Sequence, residues 1–362
     1  MQVAGTNGKG SICAFVEAGL RAAGIRCGLY TSPHLVSWTE RIRIHARPIA
    51  APELRRILES LQPLGLRFDL TPFELITAAA FVAFAEAGVE LAVLEVGLGG
   101  RLDATTCHPR RSLIGFAAIG LDHAEVLGAT PAAIAAEKAG VLQPGARAFS
   151  AAQSPEVAAV LSAAAQHCGA ALQWLEPLDP RQWPLGLAGS VQHSNAAVAL
   201  ALLQALAAAG WPIREAAMRE GLATARWPGR LQPWPWQGRP LLLDGAHNLP
   251  AAERLRAELD ADPGRHGLQP GPRHWVIGIL ANKQGPEMLD ALLAPGDRAW
   301  LVPVPGHASW SREALLNARP ALAAQLLAAA DLTAALEAAT AQAPGAVVVA
   351  GSLYLLGALL AG

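Results

Sequence analysis

Short apolar blocks alternate with longer Ala- and Leu-rich stretches along the whole chain. Blocks such as Val3-Ala4, Arg26–Tyr30, Leu91–Val96, Ser112–Ile119 and Arg147–Ser150 are apolar on both faces, as strands buried in a parallel sheet must be. Between them lie helical stretches: Ile12–Ala23, Pro52–Leu61, and a long apolar helix ending near Gly88. That last helix is capped by Thr71-Pro72-Phe73-Glu74, with the Glu74 carboxylate in its first turn. Further helices are expected from Pro131, carrying Glu137-Lys138-Ala139-Gly140, and over Ser190–Ala209. Strand–helix–strand alternation predicts right-handed parallel units. A Trp/Pro-rich stretch at 228–238 reads as a linker, and Leu241–Leu243, Trp275–Leu280, Ala299–Val304 and Ala346–Ala350 read as strands of a second unit. The expected fold is α/β: a larger domain with a mostly parallel sheet over 1–227, the linker, and a smaller Rossmann-like α/β domain over 239–362.

The first strand runs into Gly5-Thr6-Asn7-Gly8-Lys9-Gly10-Ser11. Glycines let successive backbone N–H groups curl around an anion, and the helix that follows adds its positive end. Lys9 can neutralise a terminal phosphate, and the Ser11 hydroxyl can meet Mg²⁺ or a phosphate oxygen. The spacing departs from the strict G-x-x-x-x-G-K-[ST] pattern, because Gly10 separates Lys9 from Ser11. Three other strands end in polar side chains, at Ser32, Glu95 and Asp122-His123. The carboxyl ends of parallel strands line one crevice, so these groups should face the phosphates held by the glycine loop.

At 362 residues, the chain is expected to form about two domains, and its formal net charge of −1 excludes the basic footprint of a nucleic-acid or polybasic membrane binder. No apolar run is expected to reach membrane-spanning length without Gly, Pro or charge. Cys13, Cys27, Cys107 and Cys168 are too scattered for a zinc site or a disulfide scaffold and point to reduced thiols in a cytoplasmic protein. Only Lys9, Lys138 and Lys283 among the 28 basic residues are lysines. In so arginine-rich a chain, a retained lysine marks a place where a compact or deprotonatable amine is needed. Four of the five asparagines (Asn7, Asn195, Asn248 and Asn282) fall in motif-like stretches.

Taken in order, GTNGKGS at 5–11, TSPHL at 31–35, TPFE at 71–74, EVGLGGRLDAT at 95–105, LDH at 121–123, EKAG at 137–140, PGR at 228–230, DGAHN at 244–248 and GSLY at 351–354 resemble the folylpolyglutamate synthase and dihydrofolate synthase family, within the Mur ligases. The resemblance implies a central ATP-binding domain followed by a Mur-type C-terminal domain. It implies an ATP-dependent ligase that converts a carboxylate to an acyl phosphate and lets the amine of L-glutamate attack it. The substrates implied are dihydropteroate, folates such as tetrahydrofolate, or both, handled by a monomer with no nucleic-acid or membrane partner.

The same resemblance assigns roles. Thr6, Asn7, Gly8, Lys9, Gly10 and Ser11 would hold the nucleotide phosphates, and Asn195, Arg230, Asp244 and His247 would complete the ATP site. Ser32 and Glu95 match ligands of a first Mg²⁺; His123 and Lys138 match those of a second, with Glu95 bridging. Lys138 stands where the family carries a carbamylated lysine, an anionic oxygen ligand that arginine could not form. Lys9, Glu95, His123 and Lys138 are thus the expected catalytic set. Thr71, Pro72, Phe73, Glu74, Leu102, Asp103 and Ala104 match the pterin side. His34 has no assigned role. Lys283 lies between Asn282 and Gln284 where the family usually has acids, and Thr106 stands where Asn is usual.

Other Mur-type amino-acid ligases, and a truncated nucleotide-binding copy with little activity, are the alternative readings. Family members usually carry several dozen residues ahead of the phosphate loop, including a pterin-contacting segment. The chain as given is therefore expected to hold ATP better than pteroate, and upstream residues to restore turnover. Equal glutamate-dependent ADP release by short and extended chains would contradict this.

Overall fold

The computed structural model describes residues 1–362. The chain divides into two units, Met1–Trp227 and Pro228–Gly362, each built on its own sheet.

In order, the first unit comprises β1 (Gln2–Ala4), α1 (Lys9–Ala22), β2 (Cys27–Tyr30), β3 (Ile42–Ile44), β4 (Arg47–Pro48), α2 (Ala51–Arg67), α3 (Pro72–Glu86), β5 (Leu91–Glu95) and β6 (Leu113–Phe116). It continues with α4 (Ala124–Leu127), α5 (Pro131–Ala139), β7 (Arg147–Ala151), α6 (Pro155–Cys168), β8 (Ala171–Leu175), α7 (Val191–Ala208) and α8 (Glu215–Thr224). The sheet order is β4-β3-β2-β5-β1-β6-β7-β8, parallel except for the β3–β4 hairpin at one edge. β1, β2 and β6 are buried at every position, which is why their sequences show no polar alternation. From β1 the chain winds to β2 and β5 on one side, then crosses to β6 on the other. The sheet therefore reverses direction at β1, the place where open α/β sheets form a ligand crevice.

α1 is covered by α7 and α8. At its crossing with α8, a Cβ on Gly221 would fall 2.4 Å from the backbone N and Cα of Gly19. The two helices touch backbone to backbone. α7 runs 18 residues without Gly, Pro or charge and is long and apolar enough to cross a membrane by length and composition. This corrects the expectation that no such run exists. Leu202, Leu203 and Leu206 are buried in the core that α7 shares with α1, and 67% of the stretch is buried.

Helix α2 runs past its expected end to Arg67, with Pro63 inside it. The hairpin β3–β4, the edge strand β8 and helix α6 were not foreseen from the sequence.

The second unit contains β9 (Gln232–Trp236), β10 (Arg239–Leu243), α9 (Leu249–Ala261), β11 (His274–Ile277), α10 (Gly285–Leu292), β12 (Arg298–Leu301), α11 (Arg312–Ala318), β13 (Leu326–Ala328), α12 (Leu332–Gln342), β14 (Val347–Ala350) and α13 (Leu353–Ala361). Its order is β13-β12-β11-β14-β10-β9, all parallel except β9. The expected linker at 228–238 is thus corrected: most of it is an edge strand. Pro233 and Pro235 sit opposite Leu242 and Pro240, so the prolines occupy alternate rungs that exchange no hydrogen bonds with β10. Gln237 and Gly238 both have positive φ (48° and 75°), which closes the hairpin in two residues. Beneath the sheet, the Asp297 carboxylate is 2% exposed and accepts from Arg256, from the indole of Trp275 and from the backbone of Arg273 and Ala294.

Gly221→Ala should destabilise the first unit by about 1–3 kcal/mol, because a methyl at the crossing forces α1 and α8 apart. A urea melt followed by circular dichroism checks this; an unchanged midpoint would show that the crossing has slack.

Candidate active site

Between β1 and α1, two positions have no room for a side chain. Gly5 has φ +143° and its Cβ would meet that of Ala117 at 2.7 Å; Gly8 has φ +105° and its Cβ would meet Asn195 Oδ1 at 2.4 Å. Any other residue at either position is both strained and obstructed. Asn195 is 3% exposed and donates to Gln192 Oε1 at 3.0 Å, which fixes the amide against the loop. The N-terminus of α1 has no side-chain cap and no acid in its first turn, so its amides are available to an anion. Lys9 lies back over the loop, donating to the carbonyls of Gly5 (3.1 Å) and Thr6 (3.2 Å). Ser11 is 1% exposed and its hydroxyl has no hydrogen-bond partner.

Neighbouring strand ends converge on this loop. The backbone N–H groups of Thr6 and Asn7 donate to Ala118 O at 2.8 and 3.1 Å, and the Thr6 hydroxyl exchanges hydrogen bonds with the backbone of Gly120. The phosphate loop is therefore hydrogen-bonded to the segment after β6. Asp122 and His123 follow directly. His123 has φ +52°, and its imidazole lies 3.6 Å from the Glu125 carboxylate and 3.9 Å from that of Asp122. On the other side of β1, Ser32 N donates to the buried Glu95 carboxylate at 3.3 Å, bringing together two of the expected ligands.

The glycine stretch after β5 packs onto the end of α5. A Cβ on Gly100 would lie 2.7 Å from Lys138 O, and one on Gly140 would lie 2.3 Å from the Arg101 Cβ. Lys138 is thereby buried to 5% exposure. Burial, followed by repulsion from Lys9, lowers its pKa to about 7, while Asp122 and Asp103 pull the other way. Burial and the Glu95 charge push the Cys13 thiol up, while the Lys9 charge opposes them.

Not every expected contact is free for a ligand. The Asp103 carboxylate accepts from Leu98 N, Thr105 N and the Thr105 hydroxyl, closing the glycine stretch on itself. Thr106, where Asn is usual, links Gly100 O to the buried Gln2 amide. Thr71 and Glu74 form a reciprocal capping box on α3, and that hydrogen bonding holds the exposed Glu74 carboxyl below its ordinary range. Pro72 is the first residue of that helix. Phe73 is wedged against Gly97, where a Cβ would lie 2.4 Å from its ring, and 6.1 Å from Tyr30. Leu102 is 81% exposed, and Ala104 opens a short 3₁₀ turn behind Asp103. His34 accepts from Arg41 at 2.9 Å and packs against Trp38 with the rings tilted at 44°; burial and the Arg41 charge lower its pKa.

The second unit gathers Arg230, Asp244 and His247. Asp244 accepts from Leu231 N and Ala246 N; burial raises its pKa, and Arg230 opposes that. A Cβ on Gly245 would lie 2.5 Å from the Arg230 guanidinium, and His247 bonds to Gly245 O at 2.8 Å. Asn248 caps α9, and the Lys283 carbonyl accepts from the Trp310 indole.

No three His, Cys, Asp or Glu side chains converge on a ready-made metal cluster. The expected donor set does not need one, since only Glu95 and His123 in it belong to those types. The residues fit Mg²⁺ on two counts: hydroxyl and carboxylate oxygens suit a hard cation, and Ser11 presents a buried oxygen with no partner.

A family model for the C-terminal domain of dihydrofolate synthetase matches residues 231–361. The dihydrofolate synthase/folylpolyglutamate synthase of Escherichia coli is 35% identical over 332 residues, covering 87% of this chain and 75% of its own. The structure of E. coli FolC in complex with DHPP and ADP superposes with a TM-score of 0.86 at 32% identity, over 99% of this chain and 87% of that one. That of the bifunctional folylpolyglutamate synthase/dihydrofolate synthase from Yersinia pestis, complexed with AMPPNP and Mn ion, gives 0.85 at 30% identity, over 99% and 87%.

The lowered Lys138 pKa has a thermodynamic consequence. Between about pH 7 and its ordinary pKa of 10.5, the unfolded chain holds a proton that the folded chain has lost, so stability rises with pH across that window. Lys138→Met removes this dependence. In CO₂-free buffer the variant's urea midpoint should exceed that of the parent by more at pH 7 than at pH 9.5. An equal gap at both pH values would mean that the folded-state amine keeps an ordinary pKa.

Proposed function

The chain belongs to the folylpolyglutamate synthase/dihydrofolate synthase family, and we propose that it joins L-glutamate to dihydropteroate, to tetrahydrofolate or to both, using the crevice beside β1. The reaction consumes ATP. The pterin-side carboxylate attacks the γ-phosphorus and ADP leaves. The neutral amine of glutamate then attacks the acyl carbon of the acyl phosphate, inorganic phosphate departs with the carbon–oxygen bond, and the amine proton is lost to solvent.

Amides of Gly8 to Ser11 and the α1 terminus would hold the β- and γ-phosphates, with Lys9 moving from the loop carbonyls onto them. Asn195 would meet the adenine. Ser32 and Glu95 would hold one Mg²⁺; His123 and Lys138 would hold a second, with Glu95 shared. Bound there, the two ions would neutralise charge on the phosphoryl group in transit. Thr71 to Glu74 and Leu102 to Ala104 would border the pterin side. Phe73 would offer an apolar wall, and Asp103 would act through the shape of the loop that it closes.

One observation carries this assignment: Lys138 is buried against the glycine stretch that follows Glu95, where burial and the charge of Lys9 lower its pKa to about 7. Such an amine is substantially neutral at physiological pH, and only the neutral form adds CO₂. The carbamate would then turn a cation that repels Mg²⁺ into an anion that binds it.

Glutamate-dependent ADP release, measured separately with dihydropteroate and tetrahydrofolate, tests the reaction. Turnover with at least one of them is expected; none with either would refute it. Lys138→Arg keeps the cation but cannot take up CO₂, and should cut kcat about 10–100-fold.

A further inference from the structure

Beyond Phe116 the chain leaves β6, yet the backbone of Ala117–Gly120 is held as firmly as a strand. On one face it is bound by the end of β1, through Ala117 N to Ala4 O at 2.8 Å, and by the phosphate loop, through Ala118 O to the amides of Thr6 and Asn7. The opposite face has no strand to bind, because the β6–β7 ladder ends at Phe116 opposite Ser150. One side chain fills that place. Gln153, two residues past the end of β7, accepts from Ile119 N at 2.9 Å and donates to Ala117 O at 3.0 Å. Its amide engages the carbonyl and N–H that a neighbouring parallel strand would have engaged. The same amide nitrogen also donates to the hydroxyl of Ser150, which is fully buried and itself donates to Ala151 O, so the glutamine is anchored to the sheet.

From this clamp the chain runs through Gly120 and Leu121 to Asp122 and His123, with no strand partner on the way. His123 adopts a left-handed conformation, and its N–H is held by the Asp122 carboxylate at 3.0 Å. Where that imidazole lies depends on where the 117–120 backbone is fixed.

We propose that Gln153 is a positioning residue for the metal-binding end of the site: by clamping Ala117–Ile119 against β7, it sets the position of His123 relative to the phosphate loop. The proposal rests on the reading of His123 as a metal ligand. Gln153 touches neither nucleotide loop nor expected ligand, so its removal should affect metal and nucleotide unequally. A buried amide with no function beyond the fold would affect them equally, through stability.

The experiment uses Gln153→Met, which keeps the volume and removes both hydrogen bonds, and Gln153→Glu, which keeps the acceptor for Ile119 N and removes the donor. Mn²⁺ binding to the ADP complex is read by electron paramagnetic resonance, ADP binding without metal by calorimetry, and Tm alongside. Gln153→Met should weaken Mn²⁺ binding at least about tenfold and metal-free ADP binding less than about twofold, with Gln153→Glu between parent and Met. Unchanged Mn²⁺ binding in Gln153→Met, or parallel losses of Mn²⁺, ADP and Tm, would overturn the proposal. Absence of Mn²⁺ binding by the parent ADP complex would overturn the metal-ligand reading itself, and this inference with it.

Discussion

Two glycines with no room beside them govern the first unit. Gly5 is pressed against Ala117 and Gly8 against Asn195, each in a backbone conformation that side chains avoid. The loop is therefore cast between the strand after it in the sheet and the core helix α7, before any ligand arrives. This rigidity has an electrostatic use. A loop whose amides already point at one place spends little conformational entropy on binding an anion.

Charge is arranged with equal economy. Lys9 and Lys138 are close enough to repel. Burial of Lys138 resolves the conflict by letting it lose its proton. A crevice with a lysine at its phosphate loop, one switchable amine and carboxylates alongside is suited to a ligand that brings several negative charges and the ions that balance them.

Much of this was legible in the chain itself. β1, β2, β5 and β6 are continuous apolar runs closed by glycine or polar residues, and the Thr71/Glu74 cap and the phosphate loop are local signals that need no tertiary context. The hairpin β3–β4 could not be read, since Ile42–Ile44 and Arg47–Pro48 are too short for a period to show. The edge strand β8 has mostly exposed residues and no buried face to pattern it. Helix α6 carried an ordinary start at Ser154-Pro155-Glu156 and could have been found. The stretch at 228–238 does not read as a strand because prolines usually break one, yet an antiparallel edge tolerates them at alternate rungs. Ligand types were recognisable by motif, but the prior commitment of Asp103, Thr71 and Glu74 to hydrogen bonds of their own was not. Nor was Gln153, whose role depends wholly on where β7 ends.

Strand β9 has one more consequence. The N–H groups of an edge strand that do not face its neighbour face outward, and at two of those places β9 has Pro233 and Pro235, which lack them. The rim of the second sheet thus offers an incoming chain too few donors to continue the ladder. Imino acids here serve as a terminus: the sheet cannot grow by accretion from that side, and the concentrated protein is guarded there against stacking into fibrils.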